Sequence, residues 1–279
     1  MLKRRLIYGA VLLLLGAALW YDQRHSHFCQ TCLPLPDIRS LFLPPPRMNL
    51  PYPPPPEAAL WDSWPAAQRL ADVNQRVRPR LMEELNKREM EIGQPVYLRA
   101  FKEERQLELW MRSATGWQLW RTYPIAAASG YAGPKLREGD YQVPEGFYGI
   151  TSRLVNPASS YHLALNIGYP NHYDLQHQRT GSFIMIHGRA ASIGCLAMTD
   201  PVIEEIFLLV TAALDQGQAE VPVHLFPFRM TEEKLASTAG HPWQSFWRHE
   251  LSPAWRYFEA HHEPPRLSVR EGRYELLPP

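Results

Sequence analysis

The sequence predicts a mainly β fold with flanking helices, on three observations. Short β-rich runs alternate with clusters of turn formers between residues 94 and 226. Apolar residues recur at four-residue spacing before that region and once within it. A last helical pattern, rich in aromatics, follows near the C-terminus. At 279 residues, with 45% hydrophobic and 11% aromatic content, the chain can bury a sizeable core. A net charge of +1 gives no broad basic surface, so no nucleic-acid partner is expected.

Residues 1–23, MLKRRLIYGAVLLLLGAALWYDQ, set Lys3, Arg4 and Arg5 ahead of an apolar run from Leu6 to Tyr21. This pattern is an export signal, read as an uncleaved anchor in preference to a cleaved peptide ending near Gly16-Ala17-Ala18. The basic flank would stay in the cytoplasm and the remainder would face outward. Residues 24–57 form a linker. Its HSHFCQTC motif holds Cys29 and Cys32, read as a local disulfide in preference to a zinc or redox site. Much of the chain's proline, 27 residues in all, is concentrated in the stretch from Pro34 to Pro56, which reads as a stiff extended spacer.

Residues 58–93 form a helical segment, with the helix expected from Trp64 to about Glu91. Val73, Val77, Leu81 and Leu85 share one face, and Pro79 should kink or interrupt it. From residue 94 the pattern turns to strands. PVYLRAFKEERQLELWM reads as a hairpin turning at the polar KEERQ, and GWQLWRTYPIAAAS continues in strands. A turn-rich segment, GPKLREGDYQVPEG, leads into a strand at Phe147–Ile150. SYHLALNIGYP and SFIMIHG are further strands, separated by a polar loop, NHYDLQHQRT. Asp200 can cap a helix with Pro201 at its first position, and Val202, Ile206, Val210 and Leu214 mark one buried face. VPVHLFPF closes the region 94–230. The extension 231–279 holds an aromatic-striped helix from about His241 to His262 and a hairpin turning at Glu271-Gly272.

One stretch carries chemistry. In FIMIHGRAASIGCLAMTD, His187 ends an apolar strand and Cys195 follows a small-residue turn eight positions later. A thiol attacks carbonyl carbon as thiolate, so a nucleophilic cysteine needs a base or a positive field nearby. A loop of seven residues can bring imidazole and sulfur together, and the Gly194-Cys195 turn exposes N–H groups suited to an oxyanion hole. On spacing alone a buried structural thiol remains the competing account.

The stretch resembles the catalytic motif of the YkuD-type L,D-transpeptidases, in particular the YafK-like branch. Further blocks resemble the family in order: PVYLRAFKEERQLELW, TYPIAAASGYAGPKLREGDYQVPEGFYGI with its glycine-rich Gly133–Tyr148 part, and NPASSYHLALNIGYPNHYD. The resemblance implies a β-sandwich catalytic domain over residues 94–230, with a short helix after the nucleophile. It implies Cys195 as nucleophile, His187 as base, Gly188 orienting His187 through its carbonyl, and the N–H groups of Gly194 and Cys195 as oxyanion donors. His162, Arg189 and Ser192 are the candidate substrate-binding residues. No metal or cofactor is implied.

The implied reaction is a cysteine acyltransfer at diaminopimelate in peptidoglycan stem peptides. The alternatives are hydrolysis at the same site, releasing a cell-wall-linked lipoprotein, and a non-catalytic envelope scaffold. The implied location is the periplasm, with the N-terminal segment in the inner membrane. Two positions depart from the commoner family motif: Ile193 replaces a histidine and Ala197 an arginine. The spacing from His187 to Cys195 is also shorter than in most members.

Overall fold

The computed structural model describes residues 48–278. The N-terminal apolar segment, Cys29, Cys32 and the spacer before Met48 lie outside the described residues. Among the described residues no helix is long and apolar enough to cross a membrane.

The end of the proline-rich stretch packs on the folded domain. Met48, Leu50 and Tyr52 lie against the main core, and the Pro53 carbonyl accepts from Arg76 at 2.9 Å. The expected single kinked helix is three pieces: α1 (Ala58–Ser63), α2 (Ala66–Arg76) and α3 (Arg78–Asn86). Pro65 stands at the start of α2, and Pro79 falls in the first turn of α3, where its missing N–H costs nothing. Val73, Val77, Leu81 and Leu85 are all buried, as their spacing predicts.

One sheet has five strands: β1 (Val96–Phe101), β2 (Gln106–Ser113), β3 (Gly116–Pro124), β4 (Gly146–Ile150) and, later in the chain, β9 (Val221–Phe226). Their order is β3-β2-β1-β9-β4. The expected hairpin joins β1 and β2, with Phe101 opposite Gln106. β9 enters parallel to β1 and antiparallel to β4. The second sheet, in chain order, is β5 (Val155–Asn156), β6 (Ala164–Asn166), β7 (Met185–His187) and β8 (Leu196–Ala197). The fold is mainly β with flanking helices.

Helix α4 (His172–Gln176) lies inside the polar loop, where five residues are too few to show a period. Its signal is the capping box, in which Asn171 and Asp174 each satisfy the other's backbone N–H. Helix α5 (Asp200–Asp215) touches strands of both sheets, β6 and β7 on one side and β1 and β9 on the other. It is buried on most faces, including Ile203, Phe207, Leu208 and Leu209, and not on the single face expected. A helix packed between two sheets must be apolar nearly all round. Asp200 is its first residue and does not cap it, because its carboxylate is turned toward the loop after His187, where it accepts the Arg189 N–H.

After α6 (Glu232–Ser237), α7 (Gln244–Phe246) runs through a π-helical turn (Trp247–Leu251) into α8 (Ser252–His261). β10 (Leu267–Arg270) and β11 (Arg273–Leu276) form the terminal hairpin. Phe246, Trp247, Leu251 and Ala254 share a second core with Phe101, Phe147 and Phe226. Trp247 Nε1 donates to the buried Glu145 at 2.7 Å. The same carboxylate accepts from the Gly133 N–H at 2.7 Å and from Lys102 at 3.0 Å. The C-terminal extension thus ties down both ends of the glycine-rich segment, at Gly133 and Glu145.

Candidate active site

Two adjacent strands deliver the candidate pair. β7 and β8 run parallel, with Ile186 opposite Leu196 and His187 opposite Ala197. His187 is therefore the last residue of one strand, and Cys195 immediately precedes the other. Both side chains line one cavity of about 720 Å³.

The His187 ring is nearly enclosed, 4% exposed, beside the ring of Tyr161 at a centroid distance of 4.8 Å. Its Nδ1 lies 2.6 Å from the carbonyl oxygen of Gly188. A carbonyl only accepts, so this contact assigns the proton to Nδ1 and leaves Nε2 as the basic nitrogen. Burial pushes the imidazole below its ordinary pKa, opposed by the Gly188 carbonyl and Asp200. It therefore rests neutral and able to accept a proton. No side chain fits at Gly188: a Cβ would lie 2.7 Å from Asp200 Oδ1 and 2.9 Å from the Tyr161 carbonyl oxygen. Asp200 in turn accepts the Arg189 N–H at 2.6 Å, tying the loop after His187 to the start of α5.

Cys195 is a free, half-buried thiol. Its sulfur accepts the Met185 N–H at 3.4 Å, and its S–H faces the Phe183 carbonyl at 3.7 Å. The thiol proton is thus held by main chain across the strand pair and not by the imidazole; hydrogen bonds of this kind commonly tighten only in the substrate complex. Burial pushes the thiol above its ordinary pKa, opposed by the Met185 N–H and the charge of Lys135.

The two expected oxyanion donors converge on a single oxygen. Ser192 Oγ accepts the Cys195 N–H at 3.0 Å and the Gly194 N–H at 3.3 Å, and it donates to the Cys195 carbonyl at 2.6 Å. The convergence that an oxyanion site requires is present, with a hydroxyl at its focus. Gly194 holds φ at 127°, which lets the turn close.

Of the candidate substrate residues, only Ser192 lines the cavity. His162 is fully buried, bonded to Glu204 at 2.8 Å and stacked on Trp61, so it supports the site from behind. Arg189 Nη2 pairs with Asp62 at 2.7 Å, joining α1 to the active-site loop. It is neither among the cavity-lining residues nor directed at the nucleophile. Its neighbour Gly188 presents its carbonyl to His187 Nδ1 and donates its N–H to the Leu163 carbonyl at 3.1 Å.

The sequence reading missed several wall residues: Lys135, Glu138 and Tyr141 from the glycine-rich segment, Tyr161, and Phe183. It also missed α1 and α2 as buttresses. Trp61 Nε1 donates to the His162 carbonyl at 3.2 Å, and Arg69 donates to the Ser159 carbonyl at 2.8 Å. Two sequence signals were available: an isolated lysine in a Gly-Pro turn with Asp140 five positions on, and a tryptophan in a segment otherwise rich in alanine. Strain marks the same region. Tyr141 and Phe183 in the wall, and His162 and Arg189 beside it, hold φ of 55°, 54°, 72° and 62°. Each such conformation costs about 1–3 kcal/mol and persists only where the surroundings impose it.

Residues 95–224 match the family model of the YkuD L,D-transpeptidase catalytic domain. Over 188 residues the chain is 45% identical to "Putative L,D-transpeptidase YafK" of Escherichia coli strain K12, a match covering 67% of this chain and 76% of that protein. The protein of the same name from Escherichia coli O157:H7 matches equally. Among solved structures, the helical cell shape determining protein Pgp2 of Campylobacter jejuni gives a TM-score of 0.39 at 16% identity, covering 74% of this chain and 81% of Pgp2. Bd1075 of Bdellovibrio bacteriovorus gives 0.34 at 19% identity, covering 49% of this chain and 52% of its own. At such scores these two structures add nothing to the assignment.

Proposed function

The chain belongs to the YkuD L,D-transpeptidase catalytic-domain family, and on that premise we propose that it is a cysteine acyltransferase acting at diaminopimelate in peptidoglycan stem peptides through a Cys195 thioester. The observation that carries this is the strand pair: β7 and β8 place His187 and Cys195 on one cavity, with Nδ1 of the imidazole locked by the Gly188 carbonyl.

In this reading the Cys195 thiol turns from the Phe183 carbonyl toward His187 Nε2. The proton passes to the imidazole and sulfur attacks the diaminopimelate carbonyl carbon. The negative oxygen of the tetrahedral intermediate takes the place of Ser192 Oγ at the Gly194 and Cys195 N–H groups. His187 then protonates the leaving amine as the carbon–nitrogen bond breaks, and an acyl-sulfur bond remains. An amine or a water molecule, deprotonated by His187, attacks the thioester and restores the thiol. Amine attack gives a new amide and water gives a free carboxylate.

The altered motif bears on this last choice. Ile193 is 74% exposed at the cavity mouth, where the family motif more commonly has histidine, and Ala197 is buried where it more commonly has arginine. With those two polar side chains absent, hydrolysis stands as a second outcome, with release of a cell-wall-linked lipoprotein as its substrate form. The export-signal pattern of residues 1–23 supports a periplasmic location for either outcome, with the N-terminal segment as inner-membrane anchor.

Product analysis tests the proposal. Residues 48–279 and a Cys195→Ala control are incubated with diaminopimelate-containing tetrapeptide muropeptides and with lipoprotein-loaded cell wall. Crosslinked or amine-exchanged products absent from the control establish a transpeptidase. Trimmed stems or freed lipoprotein without crosslinks establish a hydrolase. Identical wild-type and control patterns would favour a non-catalytic scaffold.

A further inference from the structure

Lys135 lies in the wall of the Cys195 cavity and is 3% exposed. Taking an ammonium out of water costs several kcal/mol unless it is paired and held. Here it is both. Its Nζ donates to Asp140 Oδ1 at 2.7 Å and to the Arg137 carbonyl at 2.9 Å. Asp140 is fixed by the Leu136, Arg137 and Gln142 N–H groups at 2.8, 3.0 and 3.1 Å. Burial raises this carboxyl, but Lys135 and those N–H groups bring it below the usual range. The lysine stem is confined as well: a Cβ at Gly181 would lie 2.8 Å from Lys135 Cε and 3.2 Å from the Tyr169 ring.

The loop that holds this cation also backs the nucleophile. The Gln142 carbonyl oxygen would lie 3.4 Å from a Cβ placed on Gly194, so the turn before Cys195 rests on the lysine loop. The Arg137 carbonyl and Asp140 use two of the ammonium's three N–H groups on the loop itself, and the lysine also borders the cavity. The other titratable groups lining the cavity are Glu138, Tyr141, Tyr161 and His187. Of these, Glu138 opposes a thiolate, and His187 is held neutral by burial. Arg189, the sequence candidate for a compensating charge, is committed to Asp62.

We propose that Lys135 is the fixed cation that favours the Cys195 thiolate, a positioning residue acting on the nucleophile across the cavity wall. This rests on the thioester reading for its purpose, though not for its test. The Met185 N–H and the Lys135 charge oppose the effect of burial on the thiol, in agreement with the geometry. A unit positive charge bordering the same low-dielectric cavity favours the charged form of the thiol.

The test is the pH dependence of Cys195 alkylation by iodoacetamide, a readout that needs no stem peptide, with folding checked by circular dichroism. It is therefore unaffected if the acyltransferase reading fails. Lys135→Met should move the profile up by about one pH unit, an approximately tenfold lower rate at neutral pH. Lys135→Arg should restore it. Asp140→Asn, which leaves the cation and removes its counter-charge, should move the profile down. A purely structural lysine predicts coincident profiles in every folded variant, and that result would overturn the proposal. If Lys135→Met does not fold, Asp140→Asn decides: a downward shift supports the proposal, and an unchanged or upward one overturns it.

Discussion

His187 Nδ1 and the Gly188 carbonyl oxygen are 2.6 Å apart, so the main chain fixes the tautomer of the candidate base. A peptide carbonyl cannot change its charge, and it orients the ring without lowering the basicity of Nε2. The contact holds only while residue 188 lacks a side chain.

Gly188→Ala therefore tests it. Its methyl would enter space held by Asp200 Oδ1, the His162 Cβ and the Tyr161 carbonyl, all within 3 Å. Displacing them should cost about 1–3 kcal/mol of stability. Turnover should fall by about two orders of magnitude from misplacement of the imidazole. Denaturant melts and single-turnover rates separate the two effects. Unchanged turnover would show that the carbonyl does not position the base.

His162 belongs to the structure behind the site. Its ring stacks on Trp61 at 3.7 Å, and its Nε2 bonds Glu204, which also receives Arg76. His162→Ala should cost about 2–4 kcal/mol, from lost packing and a stranded carboxylate. KM for the folded enzyme should stay unchanged. A raised KM with intact stability would restore His162 to the substrate site.

Ser192→Ala removes the hydroxyl at the focus of the Gly194 and Cys195 N–H groups. Stability should fall by about 1 kcal/mol for the lost hydrogen bonds. Turnover should hold or rise, because the oxyanion no longer has to displace an oxygen. A tenfold fall in kcat would mean that the hydroxyl itself serves the reaction.

Acid should destabilise the fold through His224, buried on β9 beside β1 with its Nδ1 2.7 Å from the Tyr97 hydroxyl. Burial, with Arg99 adding to it, lowers its pKa from 6.5 to about 3. The unfolded chain therefore binds the proton first. Stability is fully present above pH 6.5 and is lost as pH falls toward 3, by about 1.4 kcal/mol per unit. Urea titrations should show a loss of about 2 kcal/mol between pH 7 and pH 5. His187, also lowered by burial, adds to this in the same direction. His224→Asn should flatten the dependence, and an equal slope in that variant would contradict the assignment.

How much of this was legible in the sequence follows from which interactions are local. The β1–β2 hairpin, the strand ending at His187 and the 200–215 helix show in periodicity and turn residues, because near neighbours set them. β8, two residues long, has no period to read and is set by β7 and Ala127 running beside it. The enclosure of α5 depends on two sheets that its own sequence does not specify. At the site, the order His187, Gly188, Gly194, Cys195 carried the chemistry. The local signals at Lys135 and Trp61 do not say what each packs beside, because Cys195 and His162 are distant from them in sequence. His162 was misassigned because a histidine in a strand-like run gives no sign of which face it takes.

The most direct test of the central claim is intact-protein mass spectrometry of the enzyme quenched in acid while turning over a diaminopimelate tetrapeptide muropeptide. The account predicts an added acyl mass on the peptide containing Cys195, removed by hydroxylamine and absent in Cys195→Ala. It should build up in His187→Gln only when donor is in large excess. No adduct at any quench time, together with a Cys195→Ala variant as active as wild type, would contradict the account and return Cys195 to the role of a packed thiol.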